Sequence, residues 1–256
     1  DKVKEYLSQG LNYATSTNKA LEDLTNIKVD TPNDLLALSY IKQIKKHNYP
    51  IKYINIKRTT SYHGSEVLDN ITSASNIRKL YLSDNCIDNL IPFDKKYLYK
   101  IDMNKYYDIL KYKILAEDTS ISKYQTVDEG IESRIIKSIY TSNNYEKLIQ
   151  NIKTKRYTYN KISRMLLHIL VGFTKEDASN ISIDYIRILG FNKRGQEYLN
   201  KIKKELSIPL VIGYKKNISK VLDIELKATK IYALVTDVSL IKREYQIKPI
   251  IKENND

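Results

Sequence analysis

The stretch Ser73-Ala74-Ser75-Asn76-Ile77-Arg78 has a spacing that suggests phosphate chemistry. Hydroxyls and backbone N–H groups at a helix start donate to phosphate oxygens, and an arginine about one turn further on supplies positive charge. Ser73, Ser75 and Arg78 are therefore candidate phosphate ligands, although a serine-capped helix is the plainer account of the same residues. Two more candidates precede them. Asn33 stands at a helix start, and Arg58 follows the short strand read at Ile51–Ile56. In open α/β sheets ligands bind beyond the carboxyl ends of strands, so both side chains can converge on one crevice with the Ser73 helix.

A second group is basic. Lys153, Lys155, Arg156 and Tyr157 precede a helix on which Lys161, Arg164 and His168 follow at spacings of three and four, one exposed face. Ile162, Leu166, Ile169 and Leu170 are placed for its core side. Lys193 and Arg194, between Gly190 and Gly195, open another lysine-rich helix (Lys201, Lys203, Lys204), and glycines permit close approach of backbone to phosphate. Cations beside tyrosines suit RNA, through phosphate contact and base stacking. A solvated helix face with a satisfied His168 is the plainer alternative.

Composition weighs on that choice. The 256 residues hold 43 Lys and Arg against 30 Asp and Glu, a formal charge of +13, which points to a polyanionic partner. The 22 Tyr, 3 Phe and no Trp look like the codon usage of an A/T-rich genome, which accounts for only part of the basic surplus. Apolar residues at 42% exclude a disordered chain. No uncharged apolar run approaches about 18 residues, so no segment reads as membrane-spanning. The single Cys86 excludes an intrachain disulfide framework and a multi-cysteine zinc site; it fits a reducing cytoplasm and reads as a small buried residue. Three histidines (His47, His63, His168) make a multi-histidine metal centre a poor fit, and His63 reads as a loop residue. Asp128, Glu129 and Glu132 read as a charged helix start.

The positioning elements follow from periodicity. Residues 2 to 24 carry helical spacing with a break at Gly10 and Asn12. A second helix opens at Thr31-Pro32-Asn33-Asp34, with Thr31 as cap and Leu35, Leu36, Leu38, Ile41 and Ile44 as its buried stripe. Ile51–Ile56 reads as a β-branched strand, and a polar loop from Thr59 leads to the helix at Ser73. This is the rhythm of an open α/β sheet. Beyond residue 82 the patterns are mainly helical, at 94–116, 128–140, 144–152, 159–171, 176–188, 193–205 and 219–236. A strand is expected at 210–214 and a frayed polar tail from Lys248. The fold class expected is α/β plus mainly α: part of a Rossmann-like nucleotide-binding domain at 1–82, then a basic helical domain at 83–256.

Ordered blocks carry a family resemblance: Asp30 to Ile41, Ile56-Lys57-Arg58 with Ser61-Tyr62-His63, Ser73 to Arg78, Glu129 to Ile135, Ile152 to Thr158, Arg164 to Leu170, and Leu189-Gly190-Phe191. In order and spacing they resemble the nucleotidyltransferase-like tRNA(Met) cytidine acetate ligase family. The resemblance implies a cytoplasmic enzyme that activates acetate with ATP as acetyl-adenylate and acetylates N4 of the wobble cytidine in elongator tRNA(Met). Carried over by motif, Asn33 and Arg58 contact ATP, while Ser73, Ser75 and Arg78 hold its phosphates and Mg2+ accompanies the nucleotide. The tRNA-binding residues expected are Lys153, Lys155, Arg156, Arg164, His168, Lys193 and Arg194. The family's G-x-x-H-x-G-H motif is absent from these residues, so the chain is expected to be a C-terminal part, inactive alone. An adenylyltransferase for a small metabolite and a non-catalytic RNA-binding module are the alternatives.

Overall fold

The structure, a computed structural model, describes residues 2–29, 31–57, 59 and 64–252. They form two compact units, Asp1–Lys100 with Thr154–Thr158, and Ile101–Lys153 with Tyr159–Asp256. Among the described residues no helix is long and apolar enough to cross a membrane.

Among its described residues the first unit holds four α-helices. Helices α1 (Lys2–Ser8) and α2 (Tyr13–Thr25) divide at the expected break, where Gly10 takes φ +80° and Asn12 Oδ1 accepts from Thr15 N at 3.1 Å. The two helices pack together around Ser16 and Ala20. Helix α3 (Pro32–Lys46) opens as read, with Thr31 Oγ1 accepting from Asp34 N at 3.2 Å. Its apolar stripe is not buried as expected: Leu36 and Leu38 are exposed and Leu35, Ile41 and Ile44 half-buried. Helix α4 (Ala74–Leu82) begins where Ser73 predicts.

Two expectations for this unit are corrected. Ile51–Ile56 joins no ladder among the described residues, and Ile54 and Ile56 are 88% and 91% exposed. β-Branched residues favour a strand only when a neighbouring strand receives them. Cys86 is exposed, its Sγ 3.4 Å from Asp88 Oδ2, while its neighbour Ile87 fills the buried position.

The second unit is built on helix α8 (Tyr159–Val171), where Ile162, Met165, Leu166 and Ile169 are wholly buried. Each such side chain contributes about 1.5–3 kcal/mol by leaving water. Helices α5 (Tyr107–Glu117), α7 (Tyr145–Ile152) and α11 (Lys220–Ala233) pack on α8, and α6 (Ile131–Thr141) packs on α7. Tyrosines complete this core by burying a ring and donating to backbone. Tyr107 Oη donates to Ser142 O at 2.6 Å, and Tyr106 Oη to Tyr232 O at 3.0 Å.

Several boundaries differ from the sequence reading. The helix expected at 94–116 is interrupted, and 3₁₀ turns at Lys95–Tyr97 and Met103–Tyr106 precede α5. Asp94 and Asp102 cap these turns, accepting from the N–H groups of Lys96 and Asn104 at 2.9 Å each, and so stop a continuous helix. The helix expected at 176–188 is only α9 (Lys175–Ser179), followed by β1 (Ile186–Arg187). Parallel pairing of β1 with β3 (Leu210–Val211) takes residues that otherwise extend the helix. The tail is not all frayed. β4 (Ile250–Lys252) pairs in parallel with β2 (Gly190–Asn192), ahead of α10 (Lys193–Ile202), while α12 (Ser239–Gln246) packs on α11; residues 253–256 lie outside the described ones.

Gly172 ends α8 with φ +74°, and Lys227 Nζ donates to its carbonyl at 3.3 Å. A Cβ at this position lies 2.8 Å from Lys227 Nζ and 3.1 Å from Lys113 Nζ. The Gly172→Ala variant is expected to lose about 1 kcal/mol of stability, chiefly from the left-handed backbone and the displaced ammonium. Urea denaturation checks this, and an unchanged midpoint contradicts it.

Candidate nucleotide and RNA-binding surfaces

In the first unit the candidate phosphate residues gather at the start of α4. Ser73 is the N-cap, 4% exposed, and its Oγ accepts from Asn76 N at 3.1 Å. Its hydroxyl hydrogen points to Gly64 O at 3.5 Å, a long contact. Ser73 therefore acts first as a cap. Ser75 and Arg78 are exposed at a spacing that puts them on one helix face. Arg78 forms no ion pair or hydrogen bond with any described residue. The N–H groups of Ala74 and Ser75 open the helix and so lack intrahelical acceptors. The positive end of a helix, two backbone donors, a serine and an exposed arginine suit an anion.

The preceding loop is fixed by a residue the sequence reading passed over. Asn76 is 7% exposed, and its Nδ2 donates to Ser65 O at 3.1 Å and to Thr72 Oγ1 at 3.0 Å. Its place inside the motif was visible; its role was not, because both partners belong to the loop. Asn33 is exposed on the first turn of α3, and no hydrogen bond joins it to α4 among the described residues. Arg58, with Ser61, Tyr62 and His63, lies outside the described residues.

Of the expected RNA-binding residues, Lys155 and Arg156 cluster with the first unit, both exposed in a turn closed by Thr154 N donating to Tyr157 O at 3.2 Å, while Tyr157 beside them is buried rather than offered to a base. The remainder belong to the second unit. Lys153 is exposed at the end of α7, and Arg164 is exposed on α8. His168 is half-buried: its Nδ1 lies 2.9 Å from Gln125 O and 3.2 Å from Thr126 Oγ1, and its ring meets Phe173 edge-on at 5.3 Å. Gln125 O can only accept, so Nδ1 carries the proton and ties the loop to α8, leaving Nε2 for any ligand. Lys193 and Arg194 are exposed in the first turn of α10, where the helix dipole disfavours cations. Gly190 serves the fold rather than a phosphate, since a Cβ there lies 2.7 Å from Ile250 O.

A groove between α6 and α7, about 550 Å³, is lined by Arg134, Lys137, Ser138, Thr141, Lys147 and Asn151. The sequence reading missed it, although Arg134, Lys137 and Thr141 fall at helical spacing and Lys147 and Asn151 are four apart. Lys137 and Lys147 form no ion pair with any described residue. Another cavity, at Gly172, is charge-balanced: Lys220 and Lys227 face Asp177 and Asp223, and Lys220 Nζ lies 3.3 Å from Asp177 Oδ1. Among the described residues no three His, Cys, Asp or Glu side chains gather to hold a metal ion.

A helix start set for phosphate in one unit and a cation-rich helical body in the other fit a nucleotide-using enzyme. Over residues 1–247 the chain matches the model of the HIGH nucleotidyl transferase family, and it belongs to that family. Within it the chain is similar to tRNA(Met) cytidine acetate ligases. The protein of that name from Anoxybacillus flavithermus is 33% identical over 275 residues, covering 98% of this chain and 69% of the relative. One from Clostridium perfringens is 34% identical over 273 residues, covering 97% and 68%. The crystal structure of apo Thermotoga maritima TmcAL superposes with TM-score 0.79 at 22% identity, covering 99% of this chain and 70% of that one. TmcAL bound with alpha-thio ATP gives 0.76, also at 22% identity, over 99% and 69%. These likenesses establish a nucleotidyltransferase-type fold with a large helical part.

Removing the Asn76 carboxamide (Asn76→Ala) leaves the Ser65 carbonyl without this donor and is expected to cost about 1–3 kcal/mol. Faster amide exchange across residues 65–72, with α8 unaffected, is the expected signature; unchanged exchange there contradicts the assignment.

Proposed function

We propose that this chain serves ATP-dependent acetylation of tRNA. Acetate is activated as acetyl-adenylate, and the acetyl group passes to N4 of the wobble cytidine of elongator tRNA(Met). The observation that carries the reading is identity of 33–34% to tRNA(Met) cytidine acetate ligases along almost the whole chain. Arg78, exposed on the first turns of α4 and without an ion pair to any described residue, supports it, as does an alpha-thio ATP complex of a protein with this fold.

In the first step an acetate oxygen attacks the α-phosphorus and pyrophosphate leaves. Negative charge grows on the α-phosphate and the departing oxygens, and Arg58 and Arg78 are assigned to meet it. Ser75 and the first N–H groups of α4 hold phosphate oxygens, Ser73 orders that helix start, and Asn33 contacts the nucleotide. Mg2+ bound with ATP would screen its phosphates; among the described residues no cluster of carboxylates gathers to hold it. In the second step the cytidine N4 attacks the acetyl carbonyl and AMP leaves, which needs the base unstacked toward the adenylate. Lys153, Lys155, Arg156, Arg164, His168, Lys193 and Arg194 are assigned to the RNA. Residues 1–82 thus serve the nucleotide and 83–256 the tRNA, in the cytoplasm.

The test uses the product of the whole reading frame with ATP, acetate and elongator tRNA(Met), followed by mass spectrometry of the nucleosides. N4-acetylcytidine dependent on both ATP and acetate is expected, and its absence overturns the reading. Arg78→Ala is expected to lower acetyl-adenylate formation by about 10²–10³-fold, the usual loss for one transition-state donor. Lys155→Ala with Arg156→Ala is expected to leave adenylate formation intact and raise the KM for tRNA.

A further inference from the structure

The groove between α6 and α7 has a role that the candidate residues above do not cover. Its shape is fixed from beneath, where Ile135, Ile139, Leu148 and Ile152 are buried. It is also fixed across its edge. Arg134 Nε donates to Ile152 O at 2.8 Å and Nη2 to Asn151 O at 3.1 Å, so the guanidinium clamps α6 to the last turn of α7. Asn151 Nδ2 donates back to Ser142 Oγ at 3.1 Å. Hydrogen bonds to carbonyls and hydroxyls hold these groups in place without cancelling the arginine's charge.

The charge balance is one-sided. Arg134, Lys137 and Lys147 line the groove, and no carboxylate does. Some exposed lysines of the same unit are matched by carboxylates, Lys123 by Glu117, Lys175 by Asp128 and Lys220 by Asp177. The acid on α7, Glu146, takes hydrogen bonds from Gln150 Nε2 and Tyr159 Oη at 2.8 Å each. Three cations on a rigid, polar, open groove repel one another unless an anion lies among them. Lys153, the residue that ends α7, is exposed as well.

We infer that the α6–α7 groove binds the phosphodiester backbone of the RNA substrate, with Lys137 and Lys147 facing phosphates across it and Arg134 fixing the groove edge. A volume of about 550 Å³, open to solvent, admits a strand passing through, and the lining offers charge and short polar groups with no aromatic platform for a base. Recognition here is therefore of backbone and not of sequence. The inference rests on the tRNA reading above and extends it to residues that reading leaves unassigned.

The test compares the unaltered protein with Lys137→Gln/Lys147→Gln, Lys137→Arg/Lys147→Arg and a charge-matched control, Lys230→Gln/Lys242→Gln, both control lysines being exposed. Affinity for elongator tRNA(Met) at physiological salt is expected to fall roughly twenty-fold in the groove glutamine variant, two phosphate contacts being lost. The arginine variant and the control are expected to stay near the unaltered value. Lysine-reactive footprinting is expected to show Lys137 and Lys147 protected by tRNA and Lys230 not. Equal losses in the groove and control variants reduce the effect to net charge and overturn the inference, as does full affinity in the groove glutamine variant. Protection by an acidic polypeptide but not by RNA assigns the groove to a protein partner instead. Failure of the unaltered protein to bind tRNA sinks the tRNA reading with it, whereas binding by unaltered and groove glutamine proteins alike sinks this inference alone.

Discussion

Burial of one face of α8 is the constraint on which the second unit depends. Ile162, Met165, Leu166 and Ile169 have no exposed surface, and α5, α7 and α11 are each laid against that helix. Once these residues set the rotation of α8, Arg164 must face water and His168 must meet the loop at Gln125. The same logic sets α7, where Leu148, Ile149 and Ile152 are buried and Lys147 and Asn151 are left on the groove side. Cation display is thus a consequence of core packing. A rigid array of like charges costs folding energy through repulsion, and on the proposed function bound RNA offsets that cost as its counterions are released.

The first unit follows a different balance. Its helix starts are well capped, by Asn12, Thr31 and Ser73, but its apolar residues are largely unsheltered, with Leu36, Tyr40, Ile54 and Ile56 all exposed. Local hydrogen bonds therefore define its helices more than a core does. This places the helix start proposed to bind phosphate and the cation-bearing helical body under separate physical control. Capping at Ser73 and the Asn76 tether order the former, and α8 packing orders the latter.

What was legible in the sequence was what local physics decides. Thr31, Ser73, Asn144 and Ser219 cap the helices they precede, and the periodicity of 159–171 gave α8 its limits. What was not legible depends on distant partners. Ile51–Ile56 has strand character but no ladder among the described residues, while the short strand at Gly190 exists because Ile250 pairs with it. The expected helix at 94–116 failed because Asp94 and Asp102 turn their side chains back onto the chain. His168 reads as part of an exposed face, yet it is half-buried, because Gln125 O, from a loop 43 residues away, holds its ring. The α6–α7 groove escaped notice because its cations sit on two helices, each unremarkable alone.

The central claim is that these displayed cations grip a phosphate backbone. The salt dependence of elongator tRNA(Met) binding to the unaltered protein tests it most directly. The account predicts a steep linear fall of log affinity against log salt, with a slope of about −4 or steeper for five or more phosphate contacts. A slope shallower than about −1 means that at most one contact is electrostatic and contradicts it.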